Sequence, residues 1–345
     1  MPESKHKIFI IGAGGIVNDA HLPAYKIAGF TVAGIYDLDK EKATATAAAF
    51  SIPEVYNSIA EMIAAAGQDA IFDVAVPGKY LAAILTQLPD GCRVLLQKPM
   101  GDDLEEAKEI LAITREKKQV AAVNFQLRYA PYITTARNMI VKGSIGAICS
   151  VEIYVNVFTP WHLWNFLFAL PRVEILYHSI HYIDLIRSFL GNPKSVFAKT
   201  VKHPAMAELA SVKSSIIMDY GEWISANIIT NHCHNFGEQN QDAYIKIEGT
   251  KGAIKMKLGL LINYPEGIND QFEYVIKTKG EEPVWQMLNV EGRWFPHAFI
   301  GSIQQLMQTD KTPDNSVEDC IFTMACVEAA YQADQLGGIE FAASY

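Results

Sequence analysis

The stretch KIFIIGAGGIV, residues 7–17, decides the fold. Its unbroken apolar run, with no polar alternation, reads as a strand buried on both faces, the signature of a parallel sheet covered by helices. A glycine turn then leads into a helical pattern that ends near Gly29. With Gly12, Gly14 and Gly15 in the turn and Ile16 opening the helix, the backbone is able to approach a pyrophosphate whose charge sits at the helix N-terminus. The third position of that fingerprint is Val17 rather than Gly or Ala. A glycine-rich turn with no ligand is the alternative reading of the same residues.

The alternation continues outward from this unit. TVAGIYD precedes the alanine-rich KEKATATAAAF, VYN precedes a helix to Gly67, and AIFDVAVP precedes a helix to about Leu88. RVLLQ is followed by a helix over Leu104 to Lys117, and QVAAVNF closes the series. Six strands separated by helices describe an α/β doubly wound parallel sheet over residues 1–125. Residues 126–345 change character. After a helix over Pro131 to Lys142, SVEIYVNVF, KSSIIMDYG, EWISANIITN, AYIKIEGT and AIKMKLG alternate with period two, as a large, mostly antiparallel open sheet does. This second domain is expected to be α+β, with the last helix, Val317 to Leu336, stopping at Gly337-Gly338 and packing back on the first domain.

A formal charge of -9 argues against nucleic-acid and anionic-membrane partners, which need clustered Lys and Arg, and leaves a small molecule as the expected ligand. Five scattered cysteines without a CxxC pair indicate neither disulfides nor a zinc knuckle, so a reducing cytoplasm and no metal are expected. The first apolar run lacks the features of a secretion signal, and no run approaches the ~20 apolar residues of a membrane span. Tyr154 and Phe158 on the outer sheet face suggest a homo-oligomer interface, with a solvated face as the equal alternative.

Four further positions bear on chemistry. Asp37 ends the second strand about 20 residues beyond the glycines, placed to accept from the ribose hydroxyls and to repel a 2′-phosphate, which favours NAD over NADP. Asp39, by contrast, reads as a helix cap. Lys98, in VLLQKPMGDD, ends a core strand at the edge where open α/β sheets bind ligands. In YHSIHYID, His181 and Asp184 are three apart and share a helix face, with His178 one turn earlier, although such histidines more often only pack. His232 and His234 alternate on a strand, without the further ligands a metal site would need.

Together GAGGIVNDAHLPAY, QKPMGDDLEEA, FQLRYAP, SIHYIDLIRSFLG, IEGTKGAIKM and the last helix resemble the glucose-fructose oxidoreductase, inositol dehydrogenase and rhizopine-catabolism (Gfo/Idh/MocA) family over nearly the whole chain. The resemblance implies a Rossmann domain and a nicotinamide-dependent dehydrogenase acting on a sugar, cyclitol or related polyol. It implies that Lys98 hydrogen-bonds the reacting hydroxyl and that His181 is the acid/base. Pro77 and Gln126 join Gly12, Gly14, Gly15, Ile16, Asp37 and Lys98 as expected cofactor contacts. Arg128, Trp161, His162, Trp164, Arg172, His178 and Asp184 join Lys98 and His181 as expected substrate contacts. A homodimer or homotetramer through the second-domain sheet is expected.

The chain departs from the family pattern at several points. Tyr177 stands where an aspartate commonly precedes the histidine by four residues, and either relays a proton or packs. Gln97 replaces the glutamate before the lysine, Gln126 stands where an asparagine is common, and Arg172, Val173, Glu174 and Ser179 replace helix-start glycines and the glycine before the histidine. In the aromatic loop, Trp161, His162 and Trp164 suit the apolar face of a sugar ring, or fill an inter-subunit core. Arg172 suits a carboxylate or phosphate. Besides the dehydrogenase, two readings stand: a glycosidase using bound NAD for transient oxidation, and a non-catalytic dinucleotide-binding regulator.

Overall fold

The computed structural model describes residues 6–308 and 310–338. The chain forms two compact units: one runs to Thr135 and includes Glu291–Met324, the other comprises Ala136–Val290 and the chain from Ala325 onward. In the first, β1 (Lys7–Ile11), β2 (Thr31–Tyr36), β3 (Ala70–Val74), β4 (Arg93–Leu96) and β5 (Val120–Val123) form a parallel sheet in the order β2-β1-β3-β4-β5. Helices α1 (Leu22–Ala28), α2 (Lys40–Phe50), α3 (Ile59–Ala65), α4 (Leu81–Gln87) and α5 (Leu104–Glu116) connect or follow these strands. VYN is not a strand. It makes one bridge, Val55 to Ile35, through Ile35 N–H to Glu54 and Tyr56 N–H to Ile35, so Lys98 follows the fourth strand rather than the fifth. Pro53 just before it removes a donor from the segment, and three residues supply too few ladder bonds to extend it.

Apolar side chains of β1, β3, β4 and β5 (Ile8, Ile10, Ile71, Leu95, Ala122) form one core cluster with Leu22, Ala24 and Tyr25 of α1. Phe299, Ile303 and Leu306 of the helix His297–Met307, near the other end of the chain, complete it. The Arg93 guanidinium donates to the Leu306 carbonyl at 2.9 Å, satisfying an end group of that helix which has no intrahelical partner. Ser316 bridges to Ala122, and Asn315 donates to the Val123 carbonyl at 2.8 Å, which ties residues 315–316 to the β5 edge.

In the second unit, α6 (Pro131–Val141), which begins in the first, leads to β6 (Ile148–Asn156). Helix α7 (Ile180–Leu190) precedes β7 (Ser195–Val201), β8 (Lys213–Asp219), β9 (Ser225–Asn231), β10 (Asp242–Gly249), β11 (Gly252–Lys257), β12 (Gln271–Ile276) and β13 (Gln286–Leu288). The chain closes with α8 (His297–Met307) and α9 (Val317–Leu336), the latter running from the first unit into the second. The sheet order is β13-β12-β11-β10-β6-β9-β8-β7, with only the β6–β9 pair parallel. Burial alternates along β8, β9 and β10 as period two requires, putting Ile216, Ile228, Ile245 and Ile247 inside, while α7 packs on β9. Phe197, Ile217 and Ile229 remain on the outer face.

Helix α5 shows how the end of the quoted lysine stretch is built. Asp103 caps it by accepting from Glu106 N–H at 2.9 Å, and Glu106 reaches back to accept from Asp102 N–H at 2.7 Å. Replacing Asp103 with Ala removes the first of these bonds, and denaturant unfolding is expected to register a loss of about 1 kcal/mol; an unchanged midpoint would show the cap to be idle.

Candidate active site

The glycine turn follows β1 directly. Gly12 is required by the protein itself: its φ is +111°, and a Cβ there would stand 2.4 Å from the Ala75 carbonyl oxygen. Gly14 is different, because a Cβ added to it would meet nothing within 4 Å, and at Gly15 the nearest atom, Asp19 Oδ2, is 3.6 Å away. Neither glycine answers to the packing of this chain, and both are exposed, so the turn offers bare backbone to a ligand. The helical segment that follows begins as a π-turn, Val17–His21, continues as α1, and buries Val17 completely.

Asp37 lies over the same turn. Its Oδ2 accepts from Ala13 N–H at 2.7 Å and its Oδ1 from Asp39 N–H at 2.8 Å, which fixes the carboxylate while leaving it part-exposed. Asp39 caps α2, as its spacing predicts, by accepting from Glu41 and Lys42 N–H at 3.2 Å each. These residues fit a dinucleotide: open glycine backbone for the pyrophosphate and a fixed carboxylate for a ribose diol.

Lys98 stands just beyond β4, where Gln97 N–H continues the ladder to the Val74 carbonyl at 2.9 Å. The Lys98–Pro99 peptide is cis. Desolvation lowers the Lys98 pKa from 10.5 to about 8. The loops after β3 and β4 touch: a Cβ on Gly78, next to Pro77, would stand 3.0 Å from the Gly101 carbonyl carbon. Gln126 is buried in the turn after β5, and its Oε1 has no hydrogen-bond partner among the described residues. Arg128 is buried and holds the Asp314 carbonyl and the Asp319 carboxylate, each at 2.7 Å.

In the second unit a π-turn, Ile175–Ser179, leads into α7 and carries Tyr177 and His178, with His181 and Asp184 in the α-helix proper. Single π-turns concentrate at functional sites. Tyr177, His181 and Asp184 are buried, and Phe166 packs edge-on to Tyr177 at 5.7 Å. The aromatic loop is a 3-10 segment, Trp161–Ala169, broken at Trp164. Trp161 packs against His178 at 4.8 Å, Trp164 lies 5.5 Å from Tyr264, and His162 is exposed. Arg172 pairs with Glu328 at 2.6 Å and covers the Tyr331 ring at 4.7 Å.

His232 and His234 follow β9 rather than lying on it, and have separate partners. His234 meets Asn156 at 3.2 Å, whereas His232 is fully buried, with Nδ1 2.8 Å from the Thr159 hydroxyl and Nε2 3.4 Å from Glu174 Oε1. His178 lies on the His232 ring, 4.5 Å between centroids. Sequence reasoning treated Glu174 only as a replaced glycine, yet it anchors this cluster. It accepts from Ser179 at 2.8 Å and from Ser214. Burial pushes the Glu174 carboxyl pKa up, but the hydrogen bonds and charge of His232, with the two serine hydroxyls, outweigh burial and hold it below its ordinary value. The lone signal in the sequence was a glutamate entering an apolar helix.

A depressed folded pKa means that Glu174 contributes stability above the ordinary glutamate range and loses it as pH falls through the lowered value. Replacing Glu174 with Leu strands His232 and two serines. Urea unfolding at pH 7 is expected to show a loss of about 3 kcal/mol that narrows in acid; a loss independent of pH would refute the depressed pKa of the Glu174 carboxyl.

Two family models cover the chain: the NAD-binding Rossmann fold of the GFO_IDH_MocA oxidoreductase family over residues 6–125, and that family's C-terminal alpha/beta domain over residues 137–340. A 1,5-anhydro-D-fructose reductase of Ensifer adhaerens is 24% identical over 71% of this chain and 74% of its own length. A D-xylose 1-dehydrogenase (NADP(+)) of Haloferax volcanii is 20% identical over 95% of this chain and 97% of its own. An oxidoreductase from Agrobacterium radiobacter, solved with NAD+, L-tartaric acid and magnesium, superposes with a TM-score of 0.78 at 20% identity, covering 95% of this chain and 96% of that one. With both domains matched in order, the chain belongs to the Gfo/Idh/MocA family of NAD(P)-binding oxidoreductases.

Proposed function

We propose that this protein is an NAD-dependent dehydrogenase that moves a hydride between the carbinol carbon of a sugar, cyclitol or related polyol and the nicotinamide. The observation that carries the reading is the desolvated Lys98 ammonium, with a pKa near 8, at the end of a core strand in the unit that presents the open glycines and Asp37. Bound nicotinamide supplies the hydride acceptor. Lys98 donates a hydrogen bond to the reacting oxygen and stabilises its alkoxide character, at greater strength in a dry site than in water. His181 takes the hydroxyl proton during oxidation and returns it during reduction, with Tyr177 next to it on the π-turn as relay or wall. Trp161, His162 and Trp164 offer faces to a sugar ring, and His178, Arg128, Arg172 and Asp184 complete the polar set.

Asp37 supports NAD over NADP, since a 2′-phosphate would meet its carboxylate. The exposed Phe197, Ile217 and Ile229 on the outer sheet face support assembly into a homodimer or homotetramer. Five free cysteines suit a cytoplasmic protein. A small-molecule substrate, rather than nucleic acid or membrane, fits the net charge of -9, and among the described residues no helix is long and apolar enough to cross a membrane.

The test is a panel of D-xylose, methyl glucoside, glucose 6-phosphate and myo-inositol with NAD, followed by absorbance of the reduced nicotinamide. With NAD at saturation, Lys98→Met is expected to turn over at least ~10³-fold more slowly. Burying the charged Lys98 costs stability below its folded pKa of about 8, and that cost is relieved between 8 and the ordinary 10.5. The same variant is therefore expected to be more stable than wild type by about 2 kcal/mol at pH 7, the gain shrinking toward pH 10. Normal turnover by Lys98→Met contradicts the mechanism, and glycoside cleavage without net absorbance change would identify the NAD-dependent glycosidase instead. Asp37→Ser is expected to raise the NAD Kd about tenfold and narrow the preference over NADP; an unchanged ratio would remove Asp37 from cofactor choice.

A further inference from the structure

Gln97, immediately before Lys98, is one end of a chain of buried polar side chains through the core of the first unit. Its Oε1 accepts from Asn124 Nδ2 at 3.0 Å, and the same amide donates to His21 Nε2 at 3.2 Å. His21 Nδ1 donates to Asp73 Oδ2 at 2.7 Å, and the Tyr25 hydroxyl donates to that oxygen, also at 2.7 Å. All five are buried, with His21, Asp73 and Asn124 at 0% exposure. They come from the π-turn and helix after the glycines, from β3, and from the ends of β4 and β5.

The proton positions follow from chemistry. Asn124 Nδ2 is only a donor, so His21 Nε2 accepts and the imidazole proton sits on Nδ1, facing the carboxylate. Asn124 thus spends both amide protons on Gln97 and His21. Apolar side chains would fill this volume at lower cost, because a buried pair such as His21–Asp73 regains its desolvation only through good geometry. What the polar set provides is position. Asn124 N–H also bonds the Leu96 carbonyl at 2.7 Å, so the ends of β4 and β5 are joined through both backbone and side chain on either side of Gln97.

We propose that Gln97 and Asn124 are positioning residues for Lys98: anchored by the His21–Asp73 pair, they fix the end of β4 that carries the ammonium and tie it to the helix following the glycine turn. The residue before Lys98 is then a neutral amide, where the resembling pattern has a glutamate, and the carboxylate of the network, Asp73, stands two side chains beyond Gln97. The inference rests on Lys98 acting at the reacting oxygen. Misplacing a catalytic group by about 1 Å costs about a hundredfold in rate, so loss of the network is expected in kcat rather than in NAD binding.

The experiment compares Gln97→Met, Gln97→Glu and Asn124→Leu by NAD Kd, by kcat on the best sugar of the panel, and by acetic anhydride labelling of Lys98 relative to exposed Lys42, read by mass spectrometry. Gln97→Met and Asn124→Leu are expected to change the Lys98 labelling ratio about fivefold and to lower kcat ten- to hundredfold, with the NAD Kd within about twofold. Gln97→Glu keeps an acceptor for Asn124 and is expected to hold kcat within about threefold of wild type. Should Asn124→Leu fail to fold, Gln97→Met, at the margin of the network, decides alone. Wild-type labelling and kcat in the folded variants, whatever their thermal stability, overturn the proposal. If no sugar reduces NAD, the functional reading fails by itself and the labelling ratio decides the positioning claim.

Discussion

The structure depends on holding a half-buried ammonium group at the end of a strand that is otherwise core. Leu95 and Leu96 of β4 are buried, and Lys98 follows them two residues later with its pKa drawn down to about 8. Such a group destabilises the fold wherever it is charged, and it persists where the charge is used. A surface lysine would keep its hydration and offer an oxygen nothing that water does not. The Gln97 ladder bond to Val74 extends the strand to the residue before Lys98, and the Asp103 cap starts helix α5 five residues after it.

The same economy recurs with anions. Glu174 lies at 0% exposure in the second unit, kept below its ordinary pKa by His232, Ser214 and Ser179, and the first unit buries Asp73 against His21 and Tyr25. In each case a carboxylate within an apolar element is matched by donors from distant segments, so the cost of burial is converted into orientation of an imidazole. His178, packed at a tilt against His232, and Asn124, bonded to His21, inherit that orientation.

Much of this was legible in the sequence where the cause is local. Unbroken apolar runs identify β1, β3 and β4 because both sheet faces are covered, and strict alternation identifies β8 to β10 because one face is not. The cap at Asp39 follows from its place just before the alanine-rich helix. What was not legible comes from long-range partners. VYN reads as a strand but makes one bridge; α8 enters the first core through Phe299 and Ile303, nearly three hundred residues after β1; and Glu174 finds His232 across the second unit. The π-turn at Ile175–Ser179 changes the helical repeat without any glycine or proline to announce it.

The most direct measurement is the titration of the Lys98 ε-amine in protein carrying ¹³C-labelled lysine, with its resonance assigned by its absence in Lys98→Met. A midpoint near 8 is the result that a desolvated, chemically engaged ammonium requires. A midpoint at the ordinary 10.5 would mean that the group is solvated, and the account of β4 as the strand that delivers it to the chemistry would be wrong.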